Sequence, residues 1–121
     1  MIGLKQKELA EWQERNFRNV TSEKLALGMA EEVGELCHYI LKRMQKIREA
    51  AGEQEVQEQI ADAFADTVIF GIQLMEKEGM DAEKVIEKTI EVVLKRDWLS
   101  NPKKGVEESV ISSKTVSSRE V

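Results

Sequence analysis

The residues best equipped for chemistry are carboxylates. Glu31, Glu32 and Glu35 stand in Met29-Ala30-Glu31-Glu32-Val33-Gly34-Glu35-Leu36, and Asp62 and Asp66 in the apolar run that begins at Ile60. At about 100° per residue of helix, the three glutamates fall on one flank, and the two aspartates share a face of a second helix. From Ile60 to Met75 these aspartates are the only ionisable side chains. A helix apolar in nearly every other direction is expected to be buried, which would leave Asp62 and Asp66 at least partly desolvated. Like charges at i, i+4 on an exposed helix cost only about 0.2–0.5 kcal/mol. Two carboxylates about 4 Å apart repel by roughly 4 kcal/mol at an effective dielectric near 20. Acids gathered in a core must therefore take up protons or meet a counter-charge. Carboxylate oxygens select hard divalent cations, so the acids together read as a site for Mg²⁺, with Mn²⁺ as the alternative.

The elements that would position these groups are helices. The chain has 121 residues, 41% apolar and 34% charged, with a single proline. That is one domain's length, and the scarcity of β-branched runs before residue 100 predicts an all-α fold. The first helix is expected from about Leu4 to Asn16, with Leu9, Trp12 and Phe17 turned inward. A second, capped by Thr21 or Ser22, should run from about Glu23 to Arg48, with Leu25, Met29, Val33, Leu36, Ile40, Met44 and Ile47 as its apolar stripe. Ala50-Ala51-Gly52 is the expected turn. A third helix, Glu55 to Glu78, should end at Gly79 in a left-handed conformation. A fourth, capped by Asp81, should reach about Asp97, with Val85, Ile86, Ile90, Val93 and Leu94 inward. Residues 1–100 form the expected domain. After Asn101-Pro102 the composition turns to Ser, Val, Lys and Glu without a period, and 101–121 reads as a flexible tail.

Charge and cysteine content narrow the function classes. A net charge of −5 argues against binding to nucleic-acid backbone or an anionic membrane. The apolar run is too short to span a bilayer and holds two acids. No secretory leader precedes the first amphipathic segment, and the single Cys37 fits a reducing cytoplasm, where it is expected as a buried structural thiol. His38 is expected in a structural or surface role, since hard cations prefer oxygen.

The sequence also resembles a known family. Glu31-Glu32-Val33-Gly34-Glu35 is similar to the Glu-Glu-x-x-Glu motif of the MazG-like nucleotide pyrophosphohydrolases. In those proteins a second acidic pair, Glu-x-x-Asp, follows on another helix, and Asp66 matches its aspartate, with Val68-Ile69-Phe70 after it. Gly79-Met80-Asp81 resembles the family's Gly-Ile-Asp before the last helix. Trp12 to Phe17 and Lys95-Arg96-Asp97-Trp98 resemble segments of some members. The likeness covers roughly residues 4–98. It implies a four-helix domain completed by oligomerisation, as a homodimer or homotetramer, and Mg²⁺-dependent hydrolysis of a nucleoside triphosphate to the monophosphate and pyrophosphate. It also implies Glu32, Glu35 and Asp66 as metal ligands and Glu31 as the leading acid.

Two departures stand out. Where the family has a glutamate ligand, three residues before Asp66, this chain has Ala63. Asp62 is expected to reach the metal in its place, from the same side of the helix. No asparagine follows Lys88 in the last helix, where the family often has one, so the resemblance carries no sugar or base contact over to that position. Glu31 or Glu35 would orient or deprotonate water. Trp12, Asn16, Lys42, Lys88, Lys95 and Arg96 are candidate substrate contacts. Phosphoribosyl-ATP pyrophosphatase and dUTP or dCTP hydrolases share the constellation, so the substrate stays open. A non-catalytic helical oligomerisation module is the reading from a different class.

Overall fold

A computed structural model describes residues 5–46 and 52–106. Four helices follow one another: α1 Gln6–Phe17, α2 Ser22–Gln45, α3 Glu53–Lys77 and α4 Ala82–Leu94. The chain divides into two compact units, Met1–Glu83 and Lys84–Val121.

In the first unit, Thr21 starts α2 from an extended conformation, its hydroxyl accepting the Lys24 backbone N–H at 3.2 Å. Gly52 occupies the N-cap of α3, and Gly79 lies beyond its end at φ 77°, the left-handed conformation that glycine adopts without a Cβ penalty. Ala50 and Ala51 of the expected turn, with Ile47 and Arg48, lie outside the described residues. α2 and α3 run antiparallel. The Ser22 hydroxyl at the start of α2 donates to Glu78 just beyond α3, and Arg43 pairs with Glu53 at the opposite ends, 3.2 Å apart.

Close backbone approach makes this pairing possible. A methyl group built on Gly28 would stand 2.6 Å from the Phe70 ring, and one on Gly71 would stand 3.3 Å from Met29. Leu25 is the most completely buried large side chain, and Val56, Ala63 and Ile72 close the seam from α3. Burial of a leucine side chain contributes about 1.5–3 kcal/mol.

α1 lies along the second half of α3, also antiparallel. One side chain ties the corner: Gln6 Nε2 donates to Glu76 Oε1 and to the Met80 carbonyl at 2.8 and 2.7 Å, and Gln6 Oε1 accepts the Ala82 N–H at 2.8 Å. Lower down, buried Gln73 donates through Nε2 to the Leu9 carbonyl at 3.2 Å. The expected inward set is only partly realised. Leu9 is half-buried, whereas Trp12 and Phe17 are exposed and meet edge to face at 5.8 Å. Val33 and Met44, expected in the inward stripe of α2, are exposed too. Cys37 is exposed rather than buried. Among the described residues of this unit, α2 packs chiefly along α3.

In the second unit, Val85, Ile86, Ile90, Val93 and Leu94 of α4 line an apolar groove of about 480 Å³, but the inward set expected there is not realised: Val85 is half-buried and the other four are exposed. The helix stops at Leu94, short of the expected Asp97, because the next two amides bond three residues back. The chain then folds into turns. Asp97 N–H donates to the Gly105 carbonyl at 2.6 Å, and Asp97 Oδ1 accepts the Leu99 and Ser100 amides at 3.2 and 3.1 Å. Those amides, Ser100 first, hold the Asp97 carboxyl below its ordinary range. Gly105, at φ 80°, is buried with Arg96 and Trp98 both 3.1 Å from where a Cβ would stand. Residues 101–106, read from sequence as the start of a tail, are thus held in hydrogen-bonded turns, and 107–121 lie outside the described residues.

Two glycines on one helix should respond oppositely. Gly28→Ala should lower stability to chemical denaturation by about 1–3 kcal/mol through overpacking against Phe70. Gly34→Ala meets nothing within 4 Å and should raise it by about 0.5–1 kcal/mol through helix propensity. The Asp97 turn has a definite pH sense. A carboxyl whose pKa is lowered by folding contributes stability above its unfolded value and loses it as pH falls through the lowered one. Protection of the Ser100 amide from hydrogen exchange should therefore decline only on acidification below the ordinary carboxylate range, and Asp97→Ala should remove it at neutral pH.

Candidate functional site

The acids meet where α2 and α3 cross. The register that sets Gly28 against Phe70 also brings Glu32 near Asp66, whose charge is felt at Glu32 along with those of Glu35 and Glu31. Glu32 is half-buried, and its Oε2 is sheltered without a hydrogen-bond partner. Desolvation by the surrounding helices is the largest influence on it and raises its pKa; the Glu35, Asp66 and Glu31 charges raise it further, and a hydrogen bond with Glu35 acts the same way. A carboxyl with a sheltered oxygen that lacks a donor, and on which three other acidic charges act, is a group that a cation would neutralise. The donor set is all oxygen, which suits Mg²⁺. Among the described residues, no three acidic, histidine or cysteine side chains stand close enough to close around an ion.

Two expectations about α3 are corrected. Asp62 and Asp66 are both exposed rather than desolvated. The apolar run around them is buried on one side only: Ala63 is 2% exposed while Phe64 is 63% exposed. Asp62 and residue 63 also do not share a face. Neighbouring helical residues diverge by about 100°, so Ala63 enters the seam with α2, at the height of Glu35, and Asp62 turns to the surface. Asp62 is absent from the charges that bear on Glu32.

The other candidates are dispersed. Asn16 Nδ2 donates to the Trp12 carbonyl at 2.8 Å, using its amide to finish α1. Lys42 Nζ donates to Gln45 Oε1 at 3.2 Å, within its own helix. Lys88 is exposed on α4, and Lys95 and Arg96 follow that helix in the second unit. His38 is exposed and stacks edge-on with Tyr39 at 5.6 Å. Sequence reasoning missed Gln6 and Gln73, the polar residues that fasten α1. Gln73 had a faint signal, as the one amide in the run from Ile60 to Met75. Gln6 had none, since its partners are 70 or more residues away.

Paired antiparallel helices with acidic side chains along their seam define an all-α domain. The model of the MazG nucleotide pyrophosphohydrolase domain matches residues 20–98, which is 79 of 121 residues (98 − 20 + 1). The chain therefore belongs to the MazG nucleotide pyrophosphohydrolase family. The match takes in α2, α3 and α4 and leaves out α1. Comparison with curated proteins and with solved structures returns no match. Among the described residues no helix is long and apolar enough to cross a membrane.

The sheltered oxygen of Glu32 yields a direct test. Glu32→Gln relieves its repulsion with three acids, so the metal-free protein should melt at a higher temperature than wild type. Wild type should gain thermal stability on adding Mg²⁺, and the variant should gain much less. Differential scanning fluorimetry with and without Mg²⁺ reads both.

Proposed function

We propose that this protein hydrolyses a nucleoside triphosphate to the monophosphate and pyrophosphate with Mg²⁺. The observation that carries this reading is Glu32, half-buried on the α2–α3 seam with one sheltered oxygen lacking a donor and subject to the charges of Glu35, Asp66 and Glu31, in a chain of this family. Glu32, Glu35 and Asp66 would hold the metal, which on binding would supply positive charge to the triphosphate oxygens. The Glu32 oxygen without a donor supports that assignment.

The remaining chemistry falls to side chains of the chain itself. Glu31 is on the exposed side of the cluster, and its carboxylate, or that of Glu35, would accept a proton from the attacking water and orient it in line with the leaving group. Ala63 supplies no carboxylate at the height of Glu35, so fewer protein oxygens surround a bound ion. Waters and substrate oxygens fit that gap, which suits the habit of Mg²⁺ of retaining several waters. The substrate is a nucleotide already bearing phosphates, which a net charge of −5 would repel without a cation.

A panel of ribo- and deoxynucleoside triphosphates, with pyrophosphate detection and with or without Mg²⁺, tests the activity. Release should depend on the metal and be strongest for one or a few bases. Glu35→Gln and Asp66→Asn should each reduce kcat/KM by about 10²-fold or more. Asp62→Asn, altering a residue outside the coupled group, should cost less than Asp66→Asn. If no nucleotide is hydrolysed and Mg²⁺ leaves the melting temperature unmoved, the chain is a helical module without catalysis.

A further inference from the structure

Gln73 is the one polar side chain buried among the described residues, 2% exposed, and its Oε1 has no hydrogen-bond partner. Its Nε2 is already spent on the Leu9 carbonyl at 3.2 Å. Burying an amide oxygen unmatched is costly, and such an atom points to a donor that completes it. The place from which a donor can come is beside it. Gln73 lines a cavity of about 320 Å³ in the first unit, with Ala10 and Glu14 of α1, Val20 of the loop before α2, and Glu76 and Lys77 of α3. That is far more than one water needs, and it falls at the lower end of small-molecule sites. The loop wall is tied in place. The Asn19 N–H donates to Glu14 Oε1 at 3.0 Å, and Lys24 Nζ donates to the Asn19 carbonyl at 3.1 Å.

We propose that this cavity binds a small organic cation, whose ammonium group donates to Gln73 Oε1. The unmatched oxygen selects an N–H donor. Charge selects a cation among such donors. Two carboxylates of the wall, Glu14 and Glu76, stand against one ammonium, that of exposed Lys77. Glu76 also pairs with Lys7 at 3.6 Å, but the Lys7 side chain is 85% exposed and such a pair offsets little. Half-buried Ala10 and buried Val20 offer apolar surface to the carbon skeleton of the ligand. The site is separate from the acids of the α2–α3 seam. Val20 precedes α2, whereas Glu32 stands ten residues into it from Ser22 (32 − 22), about 15 Å along the axis. The family match leaves out α1, which forms one wall. Binding here does not depend on nucleotide hydrolysis.

Amide NMR spectra of the full chain test this, recorded with Mg²⁺ present and in about 0.15 M salt to screen surface pairing. The probe is n-butylammonium, compared with neutral 1-butanol and anionic butyrate, which have similar shapes. n-Butylammonium should shift the amide signals of Ala10, Val20 and Gln73 saturably, and the other two should not. Ala10→Leu fills the cavity and leaves the Gln73 bond to Leu9 in place; it should abolish the shifts with helical circular dichroism retained. Gln73→Met, close in size but without the oxygen, should weaken binding by about tenfold or more. The proposal is overturned if n-butylammonium shifts no signal saturably, which leaves the cavity to water, or if 1-butanol binds equally well. Shifts that centre on Glu32, or that survive Ala10→Leu, overturn it too. If one variant fails to fold, the other decides, together with the wild-type residues that shift.

Discussion

The close crossing of α2 and α3 is the constraint on which the first unit depends. Two glycines set it, Gly28 beneath the Phe70 ring and Gly71 beneath Met29. With the helix backbones this near, side chains a turn away from the glycines are brought together whatever their charge. Apolar neighbours such as Leu25 and Ile72 gain from the approach. Carboxylates do not. Glu32 is forced into partial shelter beside three acids, with one oxygen lacking a donor. The same contact that stabilises the pair therefore places Glu32 at an electrostatic cost, which is the feature that the proposed Mg²⁺ would relieve.

The elements around the crossing act on its geometry rather than on its chemistry. α1 lies outside the stretch matched by the family and is fastened to α3 mainly through polar links, with Gln6 bonding to three partners and Gln73 to the Leu9 carbonyl. It stiffens the end of α3 remote from Asp66 and the turn that leads to α4. At the far end of the chain, the turns after α4 depend on Asp97 and on the absence of a side chain at Gly105. Neither device contributes to the acid cluster. Both show a helical protein using single polar or glycine residues where apolar packing does not fix a corner.

Ala63 shows how a motif and a structure can disagree about one position. By spacing, Asp62 is an adequate replacement for a glutamate one residue later. In the fold the two positions differ, because residue 63 faces α2 and residue 62 faces water. A hydrophobic run of sixteen residues, Ile60 to Met75 (75 − 60 + 1), looks buried all round in one dimension. Among the described residues of the first unit, α1 and α2 are the helices that pack on α3, and part of its circumference, including Phe64, Asp62 and Asp66, stays exposed.

The amino-acid order alone determined the four helices, a cap for α2 at Thr21 or Ser22, the Gly79 stop and the family to which the acids Glu31, Glu32, Glu35 and Asp66 belong. These features are local: periodicity, capping and motif spacing act within a few turns of one helix. Tertiary structure alone decided which acid is sheltered, that Asp62 stands apart from it, that Cys37, Phe17 and Trp12 are exposed, and that Gln6 and Gln73 fasten α1. Those outcomes depend on the rotation and distance of one helix relative to another. Both are set by contacts between residues far apart in the chain, such as Gly28 with Phe70, that no local pattern encodes.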